Sequence, residues 1–250
     1  MNYSKTFFSY FKYSLGNSFL GSAYRFRKYL NGKRRIYQEE YQNLKESGYH
    51  VIENYMSEEN VLKLNQEFKE SLQKFSSYIT EKDDQRLFGV EHCLQRARTL
   101  FEDEKLSVLS DLVNNDRSRC AFTLGGYLKS GKNGSSGGGW HRDAFLSQFK
   151  AMLYLTNVDE DNGPFQLIPH SHKLKYVLGA ISRGGLTHWQ NRISDEEVDK
   201  VEKVLRLKRK TFVGNAGTLI LFNSTTIHRG KPIKSGERSA LTNYYFPYGR

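Results

Sequence analysis

Apolar and polar residues alternate with a period of two in the second half of the chain, which predicts β-strands. The clearest example is residues 149–156, where one set of alternate positions is apolar and the other is mixed. The apolar set is Phe149, Ala151, Leu153 and Leu155, and the mixed set is Gln148, Lys150, Met152 and Tyr154. Alternate side chains share one face of a strand. We therefore expect the mixed set, with Lys150 and Tyr154, to line a barrel that encloses a ligand cavity.

Other strand-like segments extend this pattern into a mainly β domain. They are residues 47–52, 120–128, 165–168, 217–222 and 238–245. Asp161-Asn162-Gly163 is typical of a hairpin turn, so the segment 165–168 is predicted to return beside 149–156. In the last segment Arg238 shares a face with Ala240, Thr242 and Tyr244.

Helical periodicity dominates the first half. Ser57 is predicted to cap a helix with a buried stripe of period 3.6. The stripe is Val61, Leu62, Leu64, Phe68, Leu72 and Phe75. Residues 90–113 predict one or two further helices, and the charged residues 81–87 predict a loop.

Two later segments interrupt the strands. The Gly-rich residues 130–139 predict a mobile lid or substrate-entry loop, because no Gly-Lys-Ser/Thr and no helix follow to make a phosphate cradle. Residues 174–210 are predicted to be an insertion, with a final helix capped by Ser194. The insertion ends in a run of cations, which are Lys200, Lys203, Arg206, Lys208, Arg209 and Lys210. We interpret this run as a solvated face, with a patch that binds an anionic substrate as the alternative.

Composition and charge narrow the class of protein. The 250 residues suffice for one large β domain. The two cysteines predict no disulfide framework, and no secretory signal or apolar run of about 20 residues is evident, so the expected location is the cytoplasm. The net charge of +11 suggests an anionic partner or surface.

Residues 1–45 are expected to form a basic, aromatic and helical segment ahead of a domain at 46–250. Residues 1–38 hold eight cations and no Asp or Glu. The favoured interpretation is a helix that packs its aromatic rings on the domain. The alternative is peripheral contact with an anionic membrane surface.

His141 and Asp143 are the candidate metal ligands that organise the chain. In an extended strand they share a face, and Arg142 points away. Two protein ligands hold a divalent metal poorly, and His228 is the best candidate for the third. Two histidines and one carboxylate are the ligand set of non-haem Fe(II) oxygenases.

The order His141-x-Asp143, His228 and Arg238 resembles the phytanoyl-CoA dioxygenase family of Fe(II)/2-oxoglutarate oxygenases. Residues 151–173 are similar to that family's strand, Asn-Gly turn and Pro-Gly-Ser-His-Lys segment, with His170 where the family usually has Gly. The resemblance covers about residues 46–248. It implies a double-stranded β-helix (a jelly-roll, cupin-like core) with N-terminal helices, which fits the predicted strands.

The resemblance also implies the cofactors and their ligands. Fe(II) is expected on His141, Asp143 and His228, together with O2 and the cosubstrate 2-oxoglutarate. Arg238 is expected to bind the far carboxylate of 2-oxoglutarate, and its planar guanidinium suits that pairing. Lys150 and Tyr154 are predicted to add contacts. The expected reaction is hydroxylation of a small or conjugated organic substrate with release of succinate and CO2, and the net charge of +11 makes an anionic substrate one alternative.

Other interpretations remain open. His170 and His172 form a rival His-x-His pair, but no suitably placed carboxylate follows. A catalytically silent metal-binding or scaffold protein at a membrane or glycan assembly is the alternative from another class. Oxidative demethylation of nucleic acid draws only on the basic charge and is disfavoured. Neither the primary substrate nor the oligomeric state follows from the sequence.

Overall fold

The computed structural model describes residues 24–75, 83–130 and 139–248, with only the backbone for residues 24–28. Its helices lie mainly ahead of the principal strands and in the insertion. They are α1 (Tyr24–Ile36), α2 (Gln38–Glu46), α3 (Glu58–Lys74), α4 (Gln95–Phe101), α5 (Glu104–Asn114), α6 (Leu174–Ser182) and α7 (Asp195–Leu205), with a 3-10 turn at Val90–His92. Within the described ranges no helix is long and apolar enough to cross a membrane.

The strands form two antiparallel sheets. They are β1 (Tyr49–Ile52), β2 (Asp84–Phe88), β3 (Ser118–Lys129), β4 (Trp140–His141), β5 (Phe149–Tyr154), β6 (Phe165–Leu167), β7 (Arg192–Ile193), β8 (Lys210–Phe212), β9 (Leu219–Asn223), β10 (His228–Gly230) and β11 (Glu237–Pro247). One sheet has the order β1-β9-β5-β11-β3-β2 and the other β7-β4-β10-β6-β8. The chain moves repeatedly from one sheet to the other, as in a jelly roll, and the predicted fold class is confirmed.

The faces of β5 agree with the alternation in the sequence. Phe149, Ala151 and Leu153 lie in the main apolar core, which also contains residues of the N-terminal helices. Lys150 and Met152 line a cavity on the opposite face. Helices therefore cover the outside of the six-stranded sheet, and its inner face remains available for a site.

The predicted hairpin between β5 and β6 is wrong. The turn itself forms, since the Asp159 carboxylate accepts hydrogen bonds from the backbone N–H groups of Asp161 and Asn162, and Gly163 has φ +79°. However, β5 pairs with β9 and β11, whereas β6 pairs with β8 and β10. Turn chemistry reverses the chain locally, but burial of β6 on both faces selects its partners in the other sheet.

The predicted loop at 81–87 is also wrong where the structure describes it. Residues 84–88 form β2, which pairs with β3 at the edge of the larger sheet. Its charges suit an edge strand, because charged side chains discourage pairing with another chain. Arg86 lies on this strand and pairs with Asp84. The predicted lid at 130–139 lies almost wholly outside the described residues.

Helix α3 begins after Ser57 as predicted, but two stripe positions differ, since Phe75 lies one residue beyond the helix and is only half-buried. Val61, Leu64, Phe68 and Leu72 are buried, whereas Leu62 is 57% exposed. Leu62 directly follows the buried Val61. Successive residues are rotated by about 100° around the axis of an α-helix, so the side chain of Leu62 points away from the core. The predicted helical region 90–113 consists of the 3-10 turn, α4 and α5.

The N-terminal segment is helical from residue 24 and packs on the domain. Leu30 on α1 is 1% exposed and Leu44 on α2 is 1% exposed, both within the main core. Residues 1–23, which carry part of the predicted membrane-binding segment, lie outside the described residues. The described part therefore belongs structurally to the domain.

The insertion at 174–210 contributes a separate apolar cluster and an edge strand. Ser194 and Glu197 form a capping box at the start of α7. Strand β7 pairs with β4, where His141 lies opposite Arg192. The cations at 200–210 are exposed except for half-buried Arg209, which pairs with Asp199 and Glu202.

Candidate metal centre

Strands β4 and β10 bring the two predicted histidine ligands together. They pair in antiparallel register with His141 opposite His228, and the ring centroids are 4.4 Å apart. Nδ1 of His141 lies 2.8 Å from the Gly139 carbonyl oxygen, and Nδ1 of His228 lies 2.8 Å from that of Thr226. A carbonyl only accepts, so each Nδ1 carries the proton and each Nε2 keeps its lone pair for a metal.

Asp143 completes the group from the segment directly after β4. Its Oδ1 lies 3.5 Å from Nε2 of His141, and its Oδ2 lies 3.2 Å from Nε2 of His228. Arg142 points the other way and donates to the backbone oxygens of Ser171 and Thr225. The three ligand atoms lie within 4.8 Å of one another, and they are the one such group in the described part of the chain.

The chemistry of these donors fits a divalent metal. Burial raises the pKa of Asp143, but the neighbouring His141, His228 and Lys150 outweigh it and hold that pKa well below its usual range. Burial lowers the pKa of His228 against the opposing effect of Asp143. An ionised carboxylate and neutral imidazoles are the forms that bind metals. The Nε2 lone pairs of His141 and His228 and the Asp143 carboxylate point at one another, and a cation bound between them would relieve their mutual repulsion.

A cavity of about 230 Å³ adjoins the three ligands and extends towards Arg238. We call it the inner cavity. Arg238, Ala240, Thr242 and Tyr244 all line it, so the predicted shared face of the last strand does point inward. Arg86, Arg192 and Lys150 also line it. Four cationic side chains against two carboxylates give this cavity a positive balance that suits an anion.

Arg238 has unused hydrogen-bonding capacity in this cavity. One guanidinium nitrogen donates to the carbonyl oxygen of Gly163. Its Nε is buried and has no hydrogen-bond partner among the described residues. Burial lowers the pKa of Arg238, and nearby Arg86 adds to this effect. Because a buried guanidinium N–H without an acceptor is costly, the site fits a carboxylate ligand.

Lys150 faces inward, as its position in the strand predicted, and it contacts Asp143, one of the three candidate metal ligands. Its Nζ lies 2.7 Å from Oδ2 of Asp143 and 3.7 Å from the centroid of the Tyr244 ring. The side chain is 4% exposed. The ammonium therefore neutralises the Asp143 carboxylate from the protein side, and a direct contact with 2-oxoglutarate remains a prediction.

Tyr154 is placed differently from the prediction. It is fully buried, donates through its hydroxyl to the carbonyl oxygen of Phe212 and accepts from the backbone N–H of Phe165. It does not line the inner cavity. Both hydroxyl contacts join β5 to the facing sheet, so the structure gives no support to a contact between Tyr154 and 2-oxoglutarate.

His170 and His172 do not form a rival metal pair. Nδ1 of His170 and Nε2 of His172 bind the carbonyl oxygens of Glu46 and Lys45 at the end of α2. These carbonyls lack partners within the helix, so the two histidines cap it. His170 has φ +67°, a conformation that favours glycine.

A second cavity of about 540 Å³ lies beside the inner one and shares Asp143, Lys150 and Tyr244 with it. We call it the outer cavity. The sequence predictions missed Phe145 and Trp189 in the outer cavity, and also missed Asp84, Arg86 and Arg192 in the inner cavity. Phe145 and Trp189 lie in separate loops, and the other three lie on the edge strands β2 and β7, so no spacing in the sequence connects them.

Comparison with known proteins agrees with this arrangement of fold and ligands. The profile of the phytanoyl-CoA dioxygenase (PhyH) family matches residues 44–240. The chain belongs to this family. The family assignment confirms the resemblance predicted from His141, Asp143, His228 and Arg238, and it identifies the protein as an enzyme of a dioxygenase family. No curated protein matches the chain in sequence.

Solved structures share the fold of this PhyH-family chain at low sequence identity. The α-ketoglutarate-dependent epimerase SnoN from nogalamycin biosynthesis is 16% identical, with a TM-score of 0.61 over 84% of this chain and 82% of SnoN. EctD from S. alaskensis is 18% identical, with a TM-score of 0.64 over 83% and 75%. HygX from Streptomyces hygroscopicus, solved with nickel and 2-oxoglutarate, is 16% identical, with a TM-score of 0.58 over 84% and 87%.

Proposed function

We propose that this PhyH-family chain is an Fe(II)/2-oxoglutarate-dependent oxygenase that hydroxylates a small or conjugated organic substrate. The observation that carries the proposal is the convergence of three ligand atoms within 4.8 Å, in a cavity that also contains Arg238. Two imidazoles and one carboxylate leave the remaining coordination positions of Fe(II) open for a chelating cosubstrate and O2. Structural neighbours crystallised with iron and 2-oxoglutarate support the same pair of cofactors.

The residues of this chain have separable roles in the proposed site. His141, Asp143 and His228 would hold Fe(II), and the hydrogen bonds of the two Nδ1 atoms orient their rings. Arg238 would bind the distal carboxylate of 2-oxoglutarate, which would satisfy its unpartnered Nε. When bound, the iron would activate O2, which is the oxidant, and 2-oxoglutarate would supply two of the electrons and leave as succinate and CO2. Lys150 would keep the Asp143 carboxylate ionised and oriented.

Absorption spectroscopy under anaerobic conditions tests the proposal directly. Addition of Fe(II) and 2-oxoglutarate to the full chain should produce a visible metal-to-ligand charge-transfer band, and air should then yield succinate. Asp143→Ala should abolish both signals, whereas Leu62→Ala, on the exposed face of α3, should retain both. Absence of the band and of succinate in the unmodified chain would instead favour a silent metal-binding or scaffold protein.

A further inference from the structure

We propose that the substrate presents an uncharged, planar ring system to the outer cavity, where aromatic side chains bind it beside the metal centre. The inference rests on the proposed function, because it names the substrate class of that same site. It is carried by the shape, chemistry and position of the outer cavity.

The outer cavity is positioned to hold a substrate. Asp143, Lys150 and Tyr244 line both cavities, so a molecule in the outer cavity directly adjoins a candidate metal ligand. Its volume of about 540 Å³ exceeds the 230 Å³ of the inner cavity and lies within the range of about 300–1,000 Å³ that small-molecule sites occupy. The inner cavity can then serve the cosubstrate while the outer cavity receives the substrate.

Aromatic rings form much of the outer wall. Phe122 on β3 and Tyr244 on β11 stack with centroids 4.7 Å apart and an interplanar angle of 20°. Phe145 and Trp189 meet edge to face at 4.9 Å and 82°, and Phe246 also lines the cavity. Aromatic partners favour the faces and edges of another ring, so this wall selects planar groups over saturated ones of equal size.

Charge in the outer cavity argues for an uncharged ligand. Among the described residues that line it, Asp143 and Lys150 alone are charged, and they pair with each other at 2.7 Å. Gln148 accepts through Oε1 from the Ser224 hydroxyl, and Ser147 accepts from the Asn223 side chain. An ionic group entering this cavity would lose water without gaining a free counterion.

Trp189 has a strained backbone conformation although its side chain is not part of the apolar core. It is 44% exposed and has φ +61°, a genuine outlier for a bulky residue. Gln190 fixes the turn, since its Oε1 accepts from the Thr187 backbone N–H and its Nε2 donates to Glu197. Strained residues concentrate at ligand-binding sites, where the surrounding structure pre-organises them.

Calorimetric titration of the full chain with Fe(II) and 2-oxoglutarate under argon tests the inference without turnover. The two probes are 2-naphthol and decahydro-2-naphthol, which share a carbon skeleton and a hydroxyl but differ in planarity. We expect 2-naphthol to bind about tenfold more tightly, through its aromatic faces. Equal affinity for the two probes, or no saturable binding of 2-naphthol, would overturn the assignment of a planar ring.

Variants locate the binding. Trp189→Leu and Phe246→Leu should each reduce 2-naphthol affinity severalfold, Trp189→Phe should retain most of it, and the distant control Leu62→Ala should retain all of it. Unchanged affinity in both leucine variants would place the ligand elsewhere and refute the proposal. The charge-transfer band of the same samples reports separately on the oxygenase assignment. A band without 2-naphthol binding refutes only the substrate class, and binding without a band supports the cavity assignment but not the oxygenase.

Discussion

Nζ of Lys150 lies 2.7 Å from Oδ2 of Asp143 and so joins β5 to the segment that follows β4. Lys150 is almost completely buried, so its ammonium depends on this carboxylate and on the face of the Tyr244 ring. Breaking a buried pair leaves an uncompensated charge, which costs more than the loss of a surface pair. The contact also fixes the oxygen atom that Asp143 turns towards His228.

Lys150→Met is therefore expected to weaken Fe(II) binding more than 2-oxoglutarate binding. The substitution removes the contact that orients Asp143 while keeping a long side chain in the wall. The measurement is the concentration of each cofactor needed for half-maximal charge-transfer absorbance. Lys63→Met, at an exposed ion pair on α3, is the control. A larger rise in the 2-oxoglutarate requirement would mean that Lys150 binds the cosubstrate directly.

Arg238→Lys should raise the 2-oxoglutarate concentration needed for half-maximal turnover by about tenfold to a hundredfold. The lysine keeps the charge but loses the planar fork, and a lost hydrogen bond to a charged group costs about 1.5–3 kcal/mol. Succinate production against 2-oxoglutarate concentration gives the value. Arg35→Lys, exposed on α1, should leave it unchanged. An unaltered requirement in Arg238→Lys would assign the carboxylate to another cation.

Alanine at His141, Asp143 or His228 should abolish Fe(II) binding and turnover while the domain stays folded. Each substitution removes one of three protein ligands. Asp143→Ala should also have the lowest Tm of the three, because it leaves the Lys150 ammonium buried without its partner. Iron analysis after dialysis, circular dichroism and thermal melting provide the readouts. Turnover retained by any variant would remove that residue from the site.

His172 should make the stability of the domain fall with acidification. Burial lowers the pKa of His172 from 6.5 to about 4, and its buried Nδ1 has no hydrogen-bond partner among the described residues. The unfolded chain takes up this proton near pH 6.5 and the folded chain only near pH 4. The contribution of His172 to the free energy of unfolding is therefore complete above about pH 6.5 and is lost as the pH falls towards 4. The loss is at most about 3 kcal/mol.

Urea denaturation at several pH values measures this effect by difference. In His172→Gln the amide can still donate to Lys45, and the free energy of unfolding should vary less with pH between 6.5 and 4 than in the unmodified chain. His92→Gln alters a side chain that is 79% exposed and should leave the pH dependence intact. Identical pH profiles for His172→Gln and the unmodified chain would contradict the prediction.

Leu30→Ala should lower the free energy of unfolding by about 2–5 kcal/mol, the range for large-to-small changes in a core. Leu30 is 1% exposed and belongs to the main core, although it lies in the basic N-terminal segment. Ile36→Ala on the same helix is the matched control, since Ile36 is 66% exposed. Equal denaturation midpoints for the two variants would show that α1 is dispensable for the fold.

Local geometry accounts for what the sequence determined by itself. The spacing of His141 and Asp143 placed both on one side of the chain with Arg142 opposite, because successive side chains of an extended segment point to opposite faces. The same period of two assigned Lys150 to the inner face of β5 and aligned Arg238 with Tyr244. Ligand chemistry then limited two histidines and a carboxylate to a small class of metal sites.

Tertiary structure decided what depends on contacts between distant segments. The Asp161-Asn162-Gly163 turn reversed the chain, but the burial of β6 assigned it to the opposite sheet. Tyr154 has the predicted orientation, yet its hydroxyl is satisfied by the backbone at Phe212 and Phe165. Trp189 lines the outer cavity from a turn in which its φ is +61°. Periodicity is a property of one segment, whereas pairing partners and cavity walls depend on which segments pack together.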